Sequence, residues 1–386
     1  MRHRFFRMIR NRRTAFFWLI CFGVATAVVA SSLADPPAES PPATAEKPAP
    51  PTSGAAIAAG KVEGHASCID CHRSEVSAWL ASKHASSVFD LLRSKSGDEY
   101  AKKMGIRSGD VTHSSMCVNC HGTPRIDAAG RHRTIAGISC ESCHNPAGGE
   151  DGWLNAHAVY GRKGTRRVQE TDEHYAQRAD RCRKAGQLRS ADVYLIAKRC
   201  YECHLVGDEK LVNEAKHRSA DQGFEVLKGM LGDVRHNFHL DQKQNALVST
   251  LWTNHRGKKG RTDEGRHRVV YVVGQLVAAE TILRNAAEAK DPEGDYVIEL
   301  GELLLSAYDN LADWEFAEDA TEMLEDLGGQ LADGDLDPDD TSELLEAADK
   351  LSGVAKKIAA GDGGELGDVQ LPKIAEEQLQ KAYRPR

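Results

Sequence analysis

One pentapeptide pattern, Cys-x-x-Cys-His, occurs four times: at 68–72, 117–121, 140–144 and 200–204. Two thiols three residues apart can reach the two vinyl groups of one porphyrin. The adjoining histidine (His72, His121, His144 or His204) then falls beneath the iron as axial ligand, which is the attachment signature of c-type haem. With 10 cysteines and 16 histidines in 386 residues, roughly one-hundredth of one such match would arise by chance. A zinc site pairs cysteine knuckles but needs no histidine after every second cysteine, and a dithiol redox motif appears once beside a strand–helix–strand unit. The pattern therefore implies four covalently bound haem c groups. The haem thioether residues are Cys68, Cys71, Cys117, Cys120, Cys140, Cys143, Cys200 and Cys203.

This constrains the fold. Hydrophobic residues make up 41% and aromatics 6%, a lean supply that four apolar macrocycles would supplement. The expected class is mainly α with extensive loops: a multihaem cytochrome c domain built around four haems, followed by an α-helical, bundle-like acidic C-terminal region. Two cysteines lie outside the motifs, Cys21 in an apolar leader and Cys182, read as a buried, inert thiol. The net charge of −7 is uneven: residues 268–386 hold 28 acidic and 10 basic residues. That distribution does not suggest nucleic-acid binding.

Four segments follow in order. Residues 1–34 carry six arginines, the apolar run Ala15 to Ala30 and small residues at Ser32-Leu33-Ala34. They read as an export signal or, if uncleaved, an N-terminal anchor. Both readings place the chain outside the cytoplasm, in the periplasm. Residues 35–59 are a Pro- and Ala-rich linker or tether. Residues 60–267 hold the motifs, and the apolar spacing of Val76, Trp79, Leu80 and Lys83-His84 predicts one helix after His72. Glycines and prolines around the other motifs predict short helical turns joined by loops.

From 268 to 386 cysteine disappears and apolar residues take helical spacing: Leu304, Tyr308, Leu311, then Leu344, Ala348, Leu351, Ala355, Ile358. Asp340 and Glu343 read as a capping box before the second stripe. Three or four antiparallel helices are expected, forming a structural cover with a solvated acidic face. Asp333, Asp335, Asp337 and Asp339 alternate as calcium ligands would, but Pro338 stands where an EF-hand loop needs glycine, so a solvated acidic turn is expected.

The sixth iron position decides the chemistry. A second histidine closes the iron for electron transfer, whereas an open position admits a small ligand. Beyond the motifs and the leader there are eleven histidines: His65, His84, His113, His132, His157, His174, His217, His236, His239, His255 and His267. On a continuous helix His84 would lie over ~15 Å from His72 and would serve a neighbouring haem. His157 follows the third motif across a Gly-rich turn, and His236 and His239 lie one helical turn apart. His84, His157 and one of His236/His239 are the expected distal ligands.

The stretches Ala78-Trp79-Leu80-Ala81-Ser82-Lys83-His84-Ala85 and Gly137 through Pro146 resemble the cytochrome c-554 family of tetrahaem proteins. So do the motif order, the fourth motif within Arg199–Leu205, and the histidine pair near 236. The resemblance covers about residues 60–245. It implies three irons with two histidines each and a five-coordinate iron at the second motif. It would pair His84, His157 and His236 or His239 with the third, fourth and first haems, leaving His121 as sole protein ligand of the second. His113 and His132 flank that motif as candidates the family pattern does not account for. The family carries electrons away from hydroxylamine oxidation, and its open haem suggests reaction with nitric oxide.

The expectation is thus an exported tetrahaem c-type cytochrome passing electrons between redox proteins, an electron carrier more than an enzyme, with no catalytic residue named. Two alternatives stand beside it. One is a reductase of a small nitrogen oxide such as nitric oxide, a gaseous ligand bound at an open second haem. The other is an electron-transfer subunit docked in a larger respiratory complex by its acidic helices.

Overall fold

The computed structural model describes residues 61–127, 129–158, 171–221, 223–232, 234, 238–241, 246–249, 263–314, 317–335, 341–367 and 369–373. The leader and tether of residues 1–59 lie outside the described residues, as does His236.

Helices dominate, as the sequence predicts. In chain order they run α1 (Arg73–Leu80), α2 (Lys83–Arg93), α3 (Lys95–Lys103) and α4 (Ser115–His121). The hairpin β1 (Thr123–Ile126) and β2 (His132–Ala136) comes next, then α5 (Cys140–His144), α6 (Trp153–Ala158), α7 (Asp172–Lys184), α8 (Val193–His204), α9 (Glu209–Asn213) and α10 (Val226–Leu231). A second hairpin pairs β3 (Phe238–Asp241) with β4 (Ala246–Ser249), both hairpins being antiparallel. The chain continues through α11 (Asp263–Glu288), α12 (Asp295–Leu311), α13 (Glu318–Thr321), α14 (Leu324–Asp333) and α15 (Ser342–Ala360).

Three local expectations change. The single helix after the first motif is two, because Ser82 takes extended backbone and its hydroxyl donates to the Trp79 carbonyl at 2.7 Å. The Ser82 amide also donates to that carbonyl at 2.8 Å, so backbone and hydroxyl together close the last turn of α1. His239 lies in β3, paired with Val248, so it does not share a helical turn with position 236. The capping box at Asp340 and Glu343 is not the start of α15. The helix begins at Ser342 with Thr341 in the cap position and no side-chain cap bond, and Asp340, like Asp337 and Asp339, lies outside the described residues.

The largest apolar core joins α8, α10, α11, α12, α14 and α15. The stripe Leu344, Ala348, Leu351, Ala355 and Ile358 is buried along α15, which packs on α11. On α12, Leu304 and Leu311 are fully buried and Tyr308 is half-buried. Helix α8, which ends in the fourth motif, enters this core through Val193, Tyr194, Ile196, Ala197 and Tyr201. The motif at 200–204 is therefore anchored by helices far along the chain. Among the described residues no helix is long and apolar enough to cross a membrane.

The β1–β2 hairpin shows how charge fixes a turn. Asp127 accepts from Arg133 (2.9 Å), from the Arg131 side chain and from the backbone amides of Ala129 and Arg131. The Arg133 bond above all holds its carboxyl down at about 2, against an ordinary 3.8. A depressed carboxyl stabilises in full above its unfolded value and loses that effect as pH falls through its folded one. Amide protection in the hairpin is expected to weaken between pH 3.8 and about 2, and Asp127→Asn to weaken it already at neutral pH and flatten that dependence. Hydrogen exchange of the Arg131 amide checks this; identical pH profiles in both proteins would overturn it.

Candidate haem site

Three of the four motifs are helix ends. In α4, α5 and α8 the motif histidine is the last helical residue. Positions i and i+3 of a helix share a face, so both thiols of each motif point to the same side. Helix α5 is only five residues long and is started by a reciprocal cap: Ser139 and Ser142 bond each other's backbone amides. The first motif is instead a turn ahead of α1, with His72 in its cap position, and Cys71 and His72 are exposed.

The motifs meet pairwise. Cys120 Sγ donates to the Glu202 carbonyl (3.8 Å) and Cys203 Sγ to the Asn119 carbonyl (3.6 Å), so the second and fourth motifs contact each other reciprocally. The thiols of Cys68 and Cys140 are in hydrogen-bond contact, joining the first motif to the third. Arg199 spans the third and fourth, binding Asn145 beyond His144 and Glu202 inside the fourth motif. Tight backbone packing supports this: a Cβ on Gly137 would lie 2.2 Å from the His84 carbonyl oxygen. Ser87 ties the same layers, donating to the His121 carbonyl (2.9 Å) and accepting from the Ile138 amide (3.1 Å).

Residues of the second, third and fourth motifs line a common cavity of about 1540 Å³, larger than the roughly 300–1,000 Å³ of an ordinary small-molecule pocket. Burial lowers the affinity of His121 and His204 for protons, reinforced by the neighbouring His217 and His84 respectively. The neutral imidazole, which is the ligating form, is thereby favoured. His144 Nδ1 lies 2.8 Å from the Leu188 carbonyl and His204 Nδ1 3.1 Å from Asp221 Oδ2, the outer bonds that orient a metal-bound imidazole.

The other histidines divide clearly. The His84 ring lies 6.0 Å from that of His204, at 88°. The resemblance implies His84 beside the third motif; the ring it meets belongs to the fourth. A metal–imidazole bond of about 2.0–2.1 Å, with the ring centroid roughly 1 Å beyond the nitrogen, sets trans imidazole centroids about 6–6.5 Å apart. The His84–His204 spacing fits one iron between them. His113 and His132 are exposed on the hairpin side, His113 Nδ1 lying 3.1 Å from the His132 carbonyl. His157 falls on α6 and His239 in β3. Cys182 is buried, its thiol directed at the Trp153 carbonyl at 3.9 Å.

Two site residues have no sequence signal of their own. His217 follows no motif at a telling distance, yet its ring is 6.5 Å from that of His121. Glu141, a spacer residue of the third motif, is buried and accepts from the amides of Glu63, Gly64 and Ala147. Paired thiols, neutral imidazoles and a large cavity together fit covalently held haem.

Comparison with known proteins agrees. Residues 67–145 match the family described as cytochrome c554 and c-prime. A curated relative, cytochrome c-554 of Nitrosomonas europaea (strain ATCC 19718 / CIP 103999 / KCTC 2705 / NBRC 14298), is 29% identical over 105 residues, 25% of this chain and 43% of the relative. The match thus spans less than half of that relative's length. No solved structure matches the chain. Residues 67–145, which hold the first three Cys-x-x-Cys-His motifs, thus match the cytochrome c-554 family, whose c-type haem the paired thiols and imidazoles fit.

Proposed function

We propose that the protein is an exported tetrahaem c-type cytochrome that passes electrons between redox proteins. The observation that carries this reading is the pairwise contact of the motifs, 68 with 140 and 120 with 203, with the second, third and fourth motifs lining one cavity. Haem bound there supplies reversible one-electron chemistry, tuned by axial ligands, burial and nearby charge. The chain's part is to hold each site close to the next. His72, His121, His144 and His204 are the proximal ligands, and the eight motif cysteines form the thioethers. His84, whose ring lies 6.0 Å from that of His204, would hold the same iron as His204. His157 and His239 or His236 remain the distal candidates for other sites.

Export follows from residues 1–34, whether cleaved as a signal or kept as an anchor, with residues 35–59 as tether. Thioether completion outside the cytoplasm suits both, and the similarity to a cytochrome c-554 suits the electron-carrier role. Donor and acceptor are redox proteins that dock near an exposed motif, for which His72 and Cys71 are the most open.

Intact mass of the exported protein tests the count. Four covalent haems are expected, and replacing Cys140 and Cys143 together with alanine should leave three. A wild-type mass with fewer than four, or four haems that dithionite does not reduce reversibly, would sink the reading.

A further inference from the structure

We propose that His217 is the sixth ligand of the iron carried by the second motif, which closes that site instead of leaving it open. The inference rests on the tetrahaem reading above and adds to it the state of one haem.

Four observations converge. The His217 and His121 rings stand 6.5 Å apart at 70°, within the about 6–6.5 Å that two trans imidazoles on one metal require. His217 Nδ1 lies 2.8 Å from the Arg218 carbonyl. A carbonyl only accepts, so Nδ1 carries the proton and the Nε2 lone pair is left for a metal. His144 is held in the same way by the Leu188 carbonyl. Both His121 and His217 line the cavity shared by the motifs.

The fourth observation is that the backbone at His217 is fixed from several sides. Its amide donates to the Leu211 carbonyl (3.2 Å), and Lys216 takes a left-handed conformation (φ 61°) and pairs with Asp295. Lys103 donates to the Ala215 carbonyl at 3.0 Å, and the Tyr100 ring lies 5.2 Å from the imidazole. A residue placed by α3, α9 and α12 at once is preorganised rather than adventitiously near. The two histidines flanking the motif in sequence, His113 and His132, are exposed and bonded to each other through the His132 carbonyl.

The consequence is functional. A reductase working at the second haem needs a vacant iron position, and His217 as sixth ligand would fill it, which suits electron conduction at that site.

The test uses the full, haem-loaded chain. Intact mass comes first: a count below four would count against the tetrahaem reading itself, and with four the next step concerns His217 alone. The oxidised wild type is expected to show only low-spin ferric signals in electron paramagnetic resonance, unchanged by nitric oxide. His217→Gly should convert one haem in four to high spin, and added imidazole should return it to low spin. His217→Met should keep six-coordination while raising the midpoint potential of one haem. A wild type with one high-spin haem that binds nitric oxide, or variants with four haems and wild-type spectra and potentials, would overturn the assignment.

Discussion

Replacing Glu280 with alanine is expected to lower stability by about 3 kcal/mol and to loosen the fourth motif more than the other three. The carboxylate is buried in α11 and is the meeting point of three helices. Tyr194 of α8 donates to it at 2.9 Å, Lys198 of α8 at 3.1 Å, and Arg284 one turn along α11 at 3.0 Å. Tyr194 also bonds Ser352 of α15 (2.9 Å), and Arg284 reaches Asp349 of α15 (2.7 Å). Removing one partner from a buried ionic cluster costs roughly 3–5 kcal/mol, because the remaining charges stay desolvated. Lys198 and Arg284 keep 22% and 33% of their side chains exposed, so they can turn toward water, which places the effect at the lower end. The urea midpoint should fall with an unchanged slope. Glu280→Gln, which keeps shape and one acceptor, should lose less. A midpoint unchanged in Glu280→Ala would show that apolar packing alone seats α8, and the ionic cluster would then be incidental.

What was legible in the sequence follows from how local each constraint is. The thioether spacing is covalent, so the motifs are visible in the letters alone. The stripe from Leu344 to Ile358 is periodic within one helix, and all five of its residues are buried. The break between α1 and α2 was not visible, because the amide and hydroxyl of Ser82 close a helix that apolar spacing continues. The spacing of His236 and His239 suits a helical period, but cross-strand pairing with Val248 decides the backbone of His239. Charge counting alone puts Glu280 in the acidic face, because it cannot see that a tyrosine 86 residues away, itself bonded to Ser352 of α15, binds it in the core. His217 was invisible for the same reason: its meaning comes from His121, almost a hundred residues earlier.

Glu141→Ala is expected to cost on the order of 3–5 kcal/mol, and to act where the first motif meets the third. The residue occupies a spacer position between Cys140 and Cys143, which the motif leaves unspecified. Its side chain is buried and accepts three backbone bonds, from the amides of Glu63 (3.0 Å), Gly64 (2.6 Å) and Ala147 (2.8 Å). Glu63 and Gly64 lead into Cys68, while Ala147 follows His144, so one carboxylate clamps the approach to the first motif onto the third. Alanine would leave three amides without an acceptor, two of them in buried residues, at about 1–3 kcal/mol each before water enters the gap. Glutamine keeps one oxygen but presents an N–H to a donor, so it should fall between the two. Hydrogen exchange of the Gly64 and Ala147 amides separates this from a general loss of stability: both should lose protection in Glu141→Ala far more than amides of α11. Equal protection in variant and wild type would mean that the Cys68–Cys140 contact, not the clamp, brings the two motifs together.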